Sequence, residues 1–188
     1  MVILFDFFKK LLMARQLTFE EGQIKVAGET AIMVHGPALV KLSDMLIKSM
    51  GKEGMNYIYE SSKESGKIMA TAFKRKYGVT GIKLANLVKD LTEMAGWGKS
   101  DFVKLDFDKK MMIGTTIESP FAELTELKNK KMCHISRGFA AGAVSVIFNT
   151  DVDCIETKCK ADGSNYCEFI TQPRKDLKDK KLIKEQLP

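Results

Sequence analysis

The sequence predicts an α+β fold in which an antiparallel sheet packs against several helices. Between residues 37 and 94, apolar side chains recur at intervals of three and four, which indicates amphipathic helices. Between residues 102 and 117, and again between 152 and 170, strand-like segments flank turns, which indicates hairpins. A chain of 188 residues, 45% of them hydrophobic, can bury one core, so we expect a single domain.

The first 35 residues predict a helix and short strands that belong to this same domain. Residues 2–14 place their large apolar side chains on one side of a helix. We expect that helix to complete the core or a dimer contact rather than to lie on a membrane. Residues 16–19 and 23–26 alternate around a turn at 20–22, and residues 29–34 form a third candidate strand.

Residues 36–172 are expected to form the ligand-binding part of the domain. Pro37 favours the first turn of a helix, and Gly51 ends that helix. Two further helices are predicted over residues 53–77 and 81–94.

A hairpin with one apolar face is predicted from two strands, 102–107 and 111–117. A helix is predicted over residues 131–148, and a second hairpin from residues 152–159 and 166–170. The remaining residues, 173–188, form a basic tail with six basic and three acidic side chains. Its periodicity is weak, so we expect partial disorder.

Residues 133–167 contain a set of candidate metal ligands: Cys133, Glu156, Cys159 and Cys167. A strong turn signal surrounds Gly163, and a three-residue loop there would place Cys159 opposite Cys167. Facing Cβ atoms in a hairpin are about 5 Å apart, so both thiolates could bind one tetrahedral ion. Zinc prefers thiolates and fourfold closure, and the spacing therefore predicts a structural zinc site.

The spacing also leaves alternatives open. Cys159 and Cys167 could form a disulfide in the same geometry, or remain buried free thiols. Cys154 and His134 compete with Glu156 for the fourth ligand position. On a regular strand, Glu156 and Cys154 point away from Cys159, so either ligand requires a bulge or a strand end before Cys159.

Two segments, CHISRGFAAG at 133–142 and DCIETKCKADGSNYCEF at 153–169, resemble the 4-vinyl reductase domain. This hydrocarbon-binding family occurs alone in archaea and as the sensor of aromatic-responsive transcriptional activators. Those sensors hold zinc with three Cys and one Glu at the same intervals. The resemblance covers residues 80–172 and implies that the ligand set includes Glu156 rather than Cys154.

The same resemblance implies a fold shared with TRAPP-type transport subunits, which dimerise and hold an apolar ligand. Phenol recognition is not implied. Phenol sensors of this family bind the hydroxyl group with a His and a Trp, and at the matching distances before Cys133 this chain has Leu84 and Met112.

An apolar pocket remains the expected site. The chain has eleven methionines, and methionine adapts to irregular cavities. The candidate lining residues are Met69, Met94, Trp97, Met111, Met112 and Phe139.

These observations favour binding over catalysis. No Ser-His-Asp set, phosphate loop or dinucleotide fingerprint can be assembled, and a zinc ion with four protein ligands has no open position for water. We expect a zinc-stabilised, dimeric sensor for a small hydrophobic molecule. The alternatives are a reductase or accessory protein acting on a vinyl group of a tetrapyrrole, and a protein-assembly subunit.

Composition narrows the partners and the compartment. A formal charge of +6 without a concentrated basic face argues against direct nucleic-acid binding. No apolar run of about 20 residues predicts a membrane span. Four cysteines, three of them in the metal pattern, suit a reducing cytoplasm.

Overall fold

The computed structural model describes residues 17–188, and its fold is α+β, as predicted. The helix predicted over residues 2–14 lies outside the described residues. In chain order the elements are β1 (Leu17–Glu20), β2 (Gln23–Val26), β3 (Glu29–Ala31), α1 (Gly36–Met50), α2 (Lys52–Tyr77), α3 (Gly81–Met94), β4 (Lys99–Asp106), β5 (Met111–Ile117), α4 (Pro120–Glu123), α5 (His134–Phe148), β6 (Asp153–Lys158), β7 (Cys167–Gln172) and α6 (Lys180–Gln186).

The strands form two antiparallel sheets. The small sheet has the order β1-β2-β3, and the larger sheet has the order β4-β5-β7-β6. Both predicted N-terminal strands are confirmed within one residue, and the turn between them pairs Glu20 with Gln23. The third strand is shorter than predicted, because its pairing with β2 ends at Ala31.

Glycines set the ends of the first two helices, as the sequence predicts. Gly51 adopts φ 58°, and its N–H donates to the carbonyl of Ile47 at 2.9 Å. Gly78 adopts φ 64° and donates in the same way to Lys74 at 3.0 Å. A positive φ is costly for other residues, so glycine permits these two stops.

Helices α2 and α5 cross so closely that their backbones touch. A Cβ atom on Gly142 would lie 1.8 Å from the carbonyl oxygen of Lys63, and one on Gly138 would lie 2.2 Å from that of Tyr59. From the other side, a Cβ atom on Gly66 would lie 2.2 Å from the carbonyl oxygen of Phe139. The small residues of α5 therefore serve close helix packing.

A buried carboxylate ties α2 to the start of β6. Asp153 accepts hydrogen bonds from Lys63 Nζ at 2.9 Å, from Tyr59 at 3.0 Å and from Arg174 Nε at 2.7 Å. Burial by itself would raise the pKa of Asp153, but the three donors outweigh burial, and the pKa lies below its ordinary value.

The C-terminal tail is ordered, which corrects the prediction of partial disorder. After a 3-10 turn at Arg174–Asp176, helix α6 begins with the Asp179 side chain accepting from the N–H of Leu182 at 2.9 Å. Leu177 and Leu187 are buried against the main core. The tail lacks a long apolar period because only its two ends and one face enter the core.

Among the helices of residues 17–188, none combines the length and the apolar character that a membrane crossing requires.

We expect Gly142→Ala to lower the free energy of unfolding by about 3 kcal/mol or more, because the added methyl group meets a main-chain carbonyl. Urea denaturation measures the loss. Gly36→Ala is the matched control, since its nearest contact would be Leu124 Cδ1 at 3.6 Å. Equal stability of the two variants would contradict the tight crossing.

We expect Asp153→Asn to cost about 3 kcal/mol at pH 7, because it leaves the buried Lys63 without its carboxylate. The folded-state pKa of Asp153 is depressed, so its contribution is present above the unfolded pKa of about 3.9 and disappears as pH falls through the folded value. Urea titrations at pH 7, 5 and 4 should therefore converge with those of wild type at low pH. Asp151→Asn, at a mostly exposed carboxylate near the same lysine, should change little.

Candidate metal centre and apolar cavity

Three cysteines and one glutamate converge at the start of α5 and beside β6 and β7. Their ligand atoms all lie within 4.8 Å of one another, and all four residues are buried. Cys133 Sγ is 3.6 Å from Cys167 Sγ and 4.0 Å from Cys159 Sγ. A tetrahedral ion with metal–sulfur bonds of about 2.3 Å requires sulfur separations of about 3.8 Å. The spacing therefore fits one ion.

A β-bulge brings Glu156 to the same side as Cys159. In the pairing of β6 with β7, Glu156 lies opposite Phe169 and Lys158 lies opposite Glu168, so Thr157 is an extra residue. The break in pairing that the sequence required between Glu156 and Cys159 is confirmed.

The loop after β6 differs from the predicted three-residue turn. Pairing stops at Lys158 and Glu168, and residues 160–162 form a 3-10 turn closed by Gly163 at φ 86°. The N–H of Ser164 donates back to the carbonyl of Cys159 at 3.0 Å. Cys159 and Cys167 still follow the last pair on either side, so the longer loop keeps them adjacent.

Main-chain donors face the ligand atoms. Cys133 is the residue before α5 rather than a residue of its first turn. Its N–H donates to Glu156 Oε2 at 3.2 Å, and the N–H of Met132 lies 3.5 Å from Cys159 Sγ. These donors favour negative charge on the carboxylate and on the sulfur.

Proximity and burial oppose ionisation of the whole cluster. Hydrogen bonds with Cys159 and Cys167, together with burial, raise the pKa of Cys133. Burial raises the pKa of Glu156, whereas donation from the two neighbouring thiols lowers the pKa of Cys159. Four acidic groups in contact cannot all lose their protons unless a cation lies among them.

Glu156 also has an unused acceptor. Among the described residues its Oε1 atom is buried and has no hydrogen-bond partner. Buried polar atoms rarely lack a partner, so this oxygen is available to a cation. The donor set and the orphaned oxygen together fit a divalent metal ion.

The two alternative ligands lie beside this cluster but not in it. All four cysteines are free, and Cys154 is buried outside the group of ligand atoms. His134 Nδ1 accepts from Arg137 at 2.9 Å, and burial lowers the pKa of His134 to about 3, so the ring is neutral.

Arg137, which sequence reasoning missed, is a fully buried cation next to the cluster. Its Nη1 atom donates to the carbonyls of Cys154 at 3.1 Å and Gln186 at 3.0 Å. The guanidinium also lies 4.9 Å from the centre of the Tyr59 ring. Arg137 is the only Lys, Arg, Asp or Glu between residues 132 and 150, and that isolation in an apolar helix was the available signal.

An apolar cavity of about 100 Å³ lies between α3, the β4–β5 hairpin and α5. Trp97 packs edge-on against Phe121 and Phe139, with ring centroids 5.1 Å apart in each pair. The main apolar side chains of the wall are Val88, Trp97, Phe102, Met112, Phe139, Val144, Ile147 and Phe169.

The structure brings together three of the six candidate lining residues. Trp97, Met112 and Phe139 lie in the cavity wall. Met69 and Met94 pack instead against the core around Phe73 and Leu84. Met111 is next to Met112 on β5, and alternation along a strand directs it to the other face.

The hydroxyl groups at the cavity mostly bond within the protein. Ser100 Oγ lies 2.9 Å from Thr116 Oγ1, and Thr92 donates to the carbonyl of Lys89 at 2.8 Å. Ser136, on the first turn of α5, also lines the cavity. Leu84, one of the two residues at the phenol-clamp distances, is buried in the core, and Met112 is in the wall.

Comparison with known proteins confirms the predicted resemblance. Residues 115–173 match the family model of the 4-vinyl reductase domain, and this segment contains all four clustered ligands. No match was found among curated proteins.

Solved structures share the fold. The phenol-responsive sensory domain of the transcription activator PoxR, solved with phenol, is 20% identical, with a TM-score of 0.78 over 93% of this chain and 92% of that one. A vinyl-4-reductase family protein from Methanocaldococcus jannaschii is 18% identical, with a TM-score of 0.52 over 76% and 83% of the two chains.

A trafficking protein particle complex subunit 3 from Naegleria fowleri, covalently bound to palmitic acid, is a looser neighbour. It is 19% identical, with a TM-score of 0.49 over 77% of this chain and 98% of that chain. Identities this low establish a common fold and nothing about the ligand.

Proposed function

We propose that this protein is a zinc-stabilised binding module for a small, uncharged hydrophobic molecule. The observation that carries the proposal is the apolar cavity between α3, β4–β5 and α5. Helix α5 begins at Cys133 and also supplies the cavity wall through Phe139, Ala140 and Val144. Bound zinc would link the start of α5 to β6 and β7, and so hold that wall in place.

The size and polarity of the cavity favour a ligand of about one ring. An apolar cavity of comparable size, about 150 Å³, binds benzene in an engineered protein. A charged ligand would lose its hydration without gaining a buried partner. A tetrapyrrole is much larger than a 100 Å³ cavity, so the cavity favours the binding function over the alternative reductase function.

The relatives support a sensing role. The PoxR domain shares the fold and, by its description, responds to phenol. The two clamp positions carry Leu84 and Met112 in this chain, so we propose a more apolar ligand, for which Ser136 offers a hydroxyl group.

We further propose that the module acts as a dimer in a reducing compartment such as the cytoplasm. Ile32, Met33, Leu42 and Met45 are large apolar side chains that are more than half exposed. Such surfaces commonly mark contacts with another chain. Three metal-binding thiols also require reducing conditions to stay reduced.

We expect the purified, tag-free protein to contain one zinc ion per chain, measured by elemental analysis. Cys159→Ser and Glu156→Gln each remove one of four ligands, so zinc affinity should fall at least about 100-fold. Cys154→Ser is the matched control, because this thiol is buried outside the cluster. Zinc-free protein in which Cys159 and Cys167 are oxidised to a disulfide would contradict the metal site.

We expect single-ring apolar compounds such as toluene to change the fluorescence of Trp97, the only tryptophan, and to raise the unfolding temperature. Benzoate should do neither, because its charge would be buried. Ala140→Leu narrows the cavity and should weaken toluene binding about tenfold or more, whereas the exposed Ala38→Leu should not. The absence of any response to a panel of apolar compounds would overturn the binding function.

A further inference from the structure

The C-terminal segment lies directly against the strand that carries the candidate ligand Glu156. Gln186 is buried, and its side-chain amide pairs with the main chain of Glu156 in both directions. The N–H of Glu156 donates to Gln186 Oε1 at 2.8 Å, and Gln186 Nε2 donates to the carbonyl of Glu156 at 2.8 Å. One carboxamide therefore replaces a neighbouring strand at this residue.

This pairing fills a gap that the sheet leaves open. β6 is an edge strand, so the groups on its outer side have no strand partner. On its inner side, the regular pairing with β7 is interrupted immediately after Glu156 by the bulge. The orientation of Glu156 therefore depends on Gln186 more than it would within a continuous sheet.

A second contact joins Gln186 to the helix that begins at Cys133. The main-chain carbonyl of Gln186 accepts from Arg137 Nη1 at 3.0 Å, and Arg137 lies four residues after Cys133. Leu187 is buried next to this contact, and Arg174 holds the carbonyl of Pro188 at 3.0 Å. The segment is thus connected to two elements that supply ligands.

We propose that Gln186 is a positioning residue for the metal centre, and that metal binding and docking of residues 177–188 stabilise each other. This inference rests on the metal site proposed above. Docking holds the backbone of Glu156 so that its carboxylate faces the three sulfur atoms. A bound cation in turn fixes Glu156 and α5, which are the surfaces on which the segment docks. Coupling between two binding events is reciprocal, so each must strengthen the other by the same factor.

The direct test compares Gln186→Met with Lys184→Met in the full chain. The first removes both hydrogen bonds to Glu156 at similar side-chain volume, and the second places the same side chain at an exposed position of the same helix. Competition with a chromophoric chelator should show zinc bound about 10–100-fold more weakly by Gln186→Met and unchanged by Lys184→Met. The absorption bands of the cobalt-substituted protein should also change only in Gln186→Met, because the ligand oxygen moves.

The reciprocal test uses wild-type protein, so it does not depend on the folding of a variant. Removal of zinc by a chelator should speed amide hydrogen exchange at the main-chain amides of Ile183 and Leu187, which hydrogen-bond within α6 and at its end. The acceleration should be about 10–100-fold, the factor expected for zinc affinity in Gln186→Met. Exchange in β1–β3, remote from the segment, is the internal reference.

The outcomes separate this inference from the proposed function. Zinc-binding wild type with an unaltered cobalt spectrum and affinity in Gln186→Met would overturn the positioning role alone. Unchanged exchange in α6 on zinc removal would overturn the coupling alone. Wild-type protein that binds neither zinc nor cobalt would overturn the metal site and this inference together.

Discussion

The backbone contact between α2 and α5 is the constraint on which the rest of the structure depends. Glycines on both helices allow main-chain atoms to meet where any side chain would collide. Dispersion contacts fall off steeply with distance, so this close approach makes the pair a rigid unit. Cys133 stands at the start of α5, and Phe139 and Val144 face the cavity from later turns. The two helices therefore position both candidate sites.

Electrostatics explains why charge is buried next to the ligand cluster. Three thiolates and a carboxylate with one divalent cation carry a formal charge of −2. Arg137 is a buried cation that donates to main-chain carbonyls and a neutral His134, and no carboxylate neutralises it among the described residues. A buried guanidinium is costly unless negative charge lies nearby. An anionic metal centre supplies that charge.

The cluster and the cavity differ in how strongly they select a ligand. Four converging donor atoms with near-tetrahedral spacing specify the class of ion closely. The cavity offers mainly apolar surface, and most of its hydroxyl groups already bond to the protein. It selects by size and by absence of charge, which suits a sensor for a family of related compounds.

The sequence by itself determined the local elements and the residue types of the metal centre. Helix stops at Gly51 and Gly78 follow from local backbone chemistry, and the parity of β6 required a bulge before Cys159. Only the tertiary structure decided that Met69 and Met94 pack into the core while Met112 lines the cavity, because periodicity shows that a face is buried and not what it meets. The docking of Gln186 on Glu156 likewise joins residues 30 positions apart through one amide. Such a contact leaves no period in the sequence, since it depends on where an edge strand lies in space.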